Sequence, residues 1–82
     1  MHTTGGGWRV CLINDDVNTF AVVRFLMMRL CGHDAAGSLS VANAVHTSGS
    51  ADIATYEAQQ QAEELVAVLQ RHGLRAAVRR PS

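Results

Sequence analysis

Three apolar stretches with the period of a helix, closed in turn by Gly32, Gly49 and Gly73, most constrain what this chain can become. In the first, Phe20, Val23, Met27 and Leu30 recur at helical spacing with Leu26 beside them. Gly32 suits the left-handed position just past its end. In the second, Leu39, Ala42 and His46 lie along one stripe and Val41 and Val45 along an adjoining one, to about Ser48. In the third, Ala58, Ala62, Leu65, Val66 and Leu69 form an apolar face. Arg71 and His72 close this helix at the negative end of its dipole. Thr19 or Asn18 is suited to cap the first helix and Asp34 the second. Gly37 weakens the start of the second.

Between these stretches lie segments of strand character. Trp8–Ile13 (WRVCLI) alternates, with Trp8, Val10 and Leu12 on one side and Arg9, Cys11 and Ile13 on the other. Asn14–Asn18 (NDDVN) breaks it with turn-forming residues. Ala51–Thr55 is a short, weakly marked strand, and Leu74–Val78 is the last. The predicted order is strand, helix, helix, strand, helix, strand. It gives an α/β (α+β) domain: a three-stranded antiparallel sheet packed against three helices. Residues 1–7 are expected to be a flexible lead-in and residues 8–80 the domain. Gly5–Gly7 is not a phosphate loop, because no strand precedes it and no helix opens after it.

Charge narrows the function. The 82 residues carry seven Arg, no Lys and seven acidic residues, for a formal net charge of zero. Neutralising nucleic-acid phosphates needs a basic face, so nucleic acid is not the expected partner. Arg71, Arg75, Arg79 and Arg80 are the one local excess, expected to be a solvated edge. No apolar run reaches membrane-span length. The opening residues have neither the basic start nor the apolar core of a secretory signal, so the expectation is a cytoplasmic protein with reduced Cys11 and Cys31.

Enzyme templates are poorly met. There is no Gly-x-Ser-x-Gly elbow, and Cys31-Gly32-His33 has no second Cys/His pair to complete a zinc site. Neither a cofactor nor a metal is expected. Two features remain. Asn14-Asp15-Asp16 is either an ordinary turn or a corner whose oxygens accept hydrogen bonds from an ammonium group. His46 is either a structural helix residue or a ligand-binding one. Composition and spacing leave both open.

Trp8–Asn18 (WRVCLINDDVN) resembles the opening strand and turn of ClpS adaptors, W-x-V-x-L-x-N-D-D. Val22, Val23, Leu26 and Gly32 fit the family's next helix. Ala44-Val45-His46 with Gly49-Ser50-Ala51 resembles its A-V-H-x-x-G-x-A pattern, and Gly73–Val78 its closing G-L-x-A-x-V strand. The resemblance covers Trp8 to about Arg80 and implies a non-enzymatic adaptor. Such proteins bind substrates beginning with Phe, Leu, Tyr or Trp and deliver them to a Clp AAA+ unfoldase (ClpA/ClpC type), docking on its N-terminal domain.

By position, the resemblance implies that Asn14, Asp16 and His46 contact the peptide α-amino group and Asp15 the peptide backbone. Asn18, Phe20, Val23, Ala42, Val45 and Leu74 would line the pocket for the first side chain. Asn18 stands where the family often has Thr, Phe20 where it has Met, and Ala42-Asn43 where it has a bulkier Met-Leu pair. The fold is also similar to the C-terminal domain of the bacterial ribosomal stalk protein. The alternative is therefore an interaction module of another assembly, without recognition of N-terminal residues.

Overall fold

The computed structural model describes residues 7–15 and 18–81. Strand β1 (Trp8–Ile13) leads to helices α1 (Phe20–Cys31) and α2 (Ala35–Ser48), then strand β2 (Ser50–Tyr56), helix α3 (Gln59–Arg71) and strand β3 (Arg75–Arg79). The sheet order is β2-β1-β3, and both pairings with the central β1 are antiparallel. The predicted fold class and element order are those observed. The lead-in expected over residues 1–7 lies outside the described residues except for Gly7. That residue passes so close to β2 that a Cβ on it would come within 2.5 Å of the Tyr56 carbonyl oxygen.

The alternation of β1 explains the layering. Val10 and Leu12 turn into a core shared with Val23, Leu26 and Met27 of α1, Ala42 and Val45 of α2, Ile53 of β2, and Ala62 and Leu69 of α3. Trp8 packs against the edge of that core. On the opposite face of the sheet Arg9 and Arg79 are direct cross-strand partners. Arg9 Nη1 reaches Asp52 Oδ2 at 3.5 Å. The Arg79 guanidinium is pushed up from its ordinary value, first by hydrogen bonding to the Cys11 thiol. Arg71, Arg75, Arg79 and Arg80 are all exposed, as expected of a solvated edge.

Helix ends follow the sequence closely. Thr19 Oγ1 accepts from the Val22 N–H, so Thr19 rather than Asn18 caps α1. Asp34 Oδ1 accepts from the Gly37 N–H at 2.7 Å and caps α2. The glycine that looked like a weakness belongs to this cap. A Cβ on Gly37 would lie 3.0 Å from the capping oxygen. Gly32 and Gly49 take left-handed backbone angles, φ 71° and 91°, at the two C-termini.

Three sequence expectations are corrected. The stripe of α2 that enters the core is Ser38, Ala42 and Val45, with Val41 at its margin, whereas Leu39 and His46 are exposed. Ala42 is common to the expected and the observed stripe, and packing against α1 and β2 turns the helix toward Val45. Leu74 lies before β3 rather than in it, because its N–H donates back to Leu69 O at 3.0 Å and closes the end of α3. Ala58 is the exposed N-terminal flank of α3, not part of its buried face. β2 also holds a bulge that places Ile53 as an extra residue between the Val10–Ala54 and Cys11–Asp52 pairs. His33 Nε2 lies 3.1 Å from the Ile53 carbonyl oxygen. A carbonyl only accepts, so this nitrogen carries the proton and ties the α1–α2 connection to the bulge.

Candidate functional site

The first site element is the turn after β1. The Asn14 N–H donates to Gly49 O at 2.9 Å, which docks the end of β1 onto the α2–β2 junction. That junction begins three residues after His46, so Asn14 and the last turn of α2 share one corner. The His46 ring is exposed and meets the Phe20 ring edge-on, with centroids 6.4 Å apart and an interplanar angle of 87°. Such T-shaped contacts are favourable for aromatic rings. This one joins the start of α1 to the end of α2.

The second element is a polar clasp. Asp15 Oδ1 accepts from the Asn18 N–H at 2.7 Å. The Asn18 Nδ2 group donates to both Asp15 carboxylate oxygens and to Gly73 O, the last at 2.7 Å. The clasp therefore fastens the turn to the α3–β3 junction. Leu74 follows immediately and is buried. An open depression of about 340 Å³ lies here, lined by Asp15, Gln70, Gly73, Leu74 and Arg75.

Of the residues singled out in the sequence, Phe20 and His46 meet through their rings, and the Asn14 main chain bonds to Gly49, three residues beyond His46. Asp15 and Asn18 meet in the clasp, and Leu74 lines the depression beside Asp15. Val23, Ala42 and Val45 are all buried within the core. Asp16 lies outside the described residues. Ala42 is 2 % and Val45 3 % exposed, while Phe20 is 36 % exposed. The described residues thus offer a polar turn, an aromatic contact at the end of α2 and a closely packed apolar core. They hold hydrogen-bond acceptors and apolar carbon. Among the described residues, no group of three or more His, Cys, Asp or Glu could hold a metal ion.

Sequence reasoning missed two things. The backbone carbonyls of Gly49 and Gly73 are structural members of the site, and no side-chain pattern signals them. The outer face of α1 is also apolar: Phe25 is 59 % and Met28 43 % exposed. The signal was present in FAVVRFLMM, which is apolar around most of the helix circumference rather than along one stripe.

The structure is similar to that of Agrobacterium tumefaciens ClpS2 bound to L-phenylalaninamide, with a TM-score of 0.74 and 21% sequence identity over 92% of this chain and 95% of that one. At that identity the likeness speaks for the fold. No curated protein matches the sequence. Among the described residues, no helix is long and apolar enough to cross a membrane. The family evidence comes from the sequence itself: residues 4–77 match the family model described as ATP-dependent Clp protease adaptor protein ClpS. That match spans nearly all the elements that build the corner, and the chain belongs to the ClpS family of Clp protease adaptors.

Proposed function

We propose that this adaptor binds the free N-terminus of proteins that begin with Phe, Leu, Tyr or Trp and delivers them to a Clp AAA+ unfoldase of the ClpA/ClpC type, docking on its N-terminal domain. The observation that carries the reading is the Asn14–Gly49 bond, which supports a site in which the acceptor-rich turn and His46 serve as a rim and Val23, Ala42 and Val45 as an apolar floor. Oxygen and imidazole acceptors at a rim suit an ammonium, which only donates. An apolar floor suits the side chain attached to the same carbon.

In this reading Asn14, Asp16 and His46 hold the α-amino group. Asp15, whose carboxylate already orders Asn18, meets the first peptide unit. Asn18 and Leu74 form the far wall of the pocket. Because the floor is closed, entry of a side chain displaces the Phe20 ring from its place over His46. An internal residue has no ammonium, so its binding would leave acceptors at the rim unpaired, and this gives selectivity.

The test is a pair of peptides that begin with Phe and differ only in acetylation of the first nitrogen. The free peptide should bind about 1.5–3 kcal/mol more tightly, the range for a hydrogen bond to a charged group. Equal affinity would sink the reading.

A further inference from the structure

Helix α1 presents a second apolar surface that adjoins the site just described at Phe20. Phe20, Ala21, Arg24, Phe25 and Met28 line an open groove of about 380 Å³. Their spacing puts them on one side of the helix, away from Val23, Leu26 and Met27, which enter the core. α1 packs chiefly on α2, and among the described residues Phe25 and Met28 on this outer side remain exposed. Contiguous apolar surface of this kind marks a contact with something else.

Charge indicates what that something is. α1 contains Arg24 and Arg29 and no acidic residue. The Nε of Arg24 is buried at the groove and has no hydrogen-bond partner. A guanidinium beside apolar carbon is matched by a carboxylate on an otherwise apolar chain. A second copy matches poorly. A two-fold contact over this face would bring identical surfaces together and set the arginines of α1 against one another.

Position indicates where the occupant comes from. Phe20 belongs to both surfaces: its ring meets His46 and also lines the groove. The groove runs from Phe20 to Met28, eight residues of helix, or about 12 Å at 1.5 Å per residue. An extended chain at about 3.3 Å per residue covers that length in about four residues. We propose that the groove receives the substrate segment directly behind its N-terminal residue, and that it favours segments carrying apolar side chains and a carboxylate at about positions two to five. This deepens the reading given under Proposed function and rests on it.

The test uses L-phenylalaninamide, which fills only the first-residue site, and three peptides beginning with Phe. Their next four positions hold Leu and Glu, Leu and Lys, or only Ser and Gly. Binding is measured to the unmodified protein, to Arg24→Glu and to Phe25→Ser. The Leu/Glu peptide should bind the unmodified protein about tenfold tighter than the Ser/Gly peptide, equivalent to about 1.4 kcal/mol. Arg24→Glu should invert the Glu-over-Lys preference, and Phe25→Ser should remove the advantage of Leu. Neither change should alter the affinity for L-phenylalaninamide.

If the amide binds but all three peptides bind alike, or Arg24→Glu leaves the preference unchanged, the groove inference is overturned and the N-terminus site stands. If neither amide nor peptide binds, both fall. A concentration-dependent dimer that Phe25→Ser converts to monomer would assign the groove to a second copy and overturn the inference.

Discussion

The side-chain amide of Asn18 bridges fifty-five residues of sequence, donating to the Gly73 carbonyl at 2.7 Å while also donating to the Asp15 carboxylate. It joins the turn after β1 to the end of α3, and the candidate site sits beside that junction. Asn18→Ala removes both contacts and leaves the Gly73 carbonyl to solvent. Because the clasp is partly exposed, the expected cost is about 0.5–1.5 kcal/mol. Denaturant titration would register it as a lower midpoint at unchanged slope. A loss of ligand affinity larger than the loss of stability would show that the clasp also fixes the binding geometry.

Phe20 should control which first residues are accepted. Its ring leaves little width at the rim, so β-branched Val and Ile should bind worse than Phe or Leu. The difference expected for such a change in pocket fit is about 1–3 kcal/mol. Phe20→Ala should narrow that gap by opening the rim. Titration with peptides that begin with Phe, Leu, Val or Ile checks it, and indifference of the unmodified protein to all four would rule out the pocket assignment.

An ammonium only donates, so His46 would serve the peptide amine as an acceptor. Alkali should weaken binding by deprotonating that amine, which titrates near about 7.7–8.0. His46→Gln keeps an accepting oxygen and should hold most of the affinity, whereas His46→Ala should lose it. Titration of a peptide beginning with Phe against the unmodified protein and both variants decides the matter. Equal affinity in all three would assign His46 to structure alone.

Cys31 is half-buried at the end of α1, and burial raises its thiol above the ordinary value of 9.0. The folded state therefore holds the proton more tightly than the unfolded chain. The resulting stabilisation is complete below pH 9.0 and is lost as pH rises through the folded-state value. Thermal denaturation of the unmodified protein and Cys31→Ala should show a steeper alkaline decline in the former. Parallel curves would refute the link.

Met27 is fully buried where α1 meets the core. Met27→Ala should cost about 2–5 kcal/mol, the range for large-to-small core changes. That is a large share of an ordinary domain's stability of about 5–15 kcal/mol, and calorimetry would show it directly. Phe25→Ala, on the open face of the same helix, should change stability by no more than about 0.5 kcal/mol.

What the sequence determined by itself is local. The alternation in Trp8–Ile13, the caps at Thr19 and Asp34, and the glycines after α1 and α2 depend on side chains and backbone angles within a few residues. They fixed the elements and their order. The family patterns that single out Asn14 and His46 are likewise local.

Tertiary structure decided the rest. α2 contains two adjoining apolar stripes, and only packing against α1 and β2 selected Ser38, Ala42 and Val45 over Leu39 and His46. Leu74 looked like strand until its N–H closed α3. The bond from Asn14 to Gly49 and the clasp from Asn18 to Gly73 use main-chain carbonyls, which every residue possesses and no side-chain pattern marks. The exposed row of Phe25 and Met28 was equally ambiguous, because a helix apolar on most of its surface does not say which side the core will take.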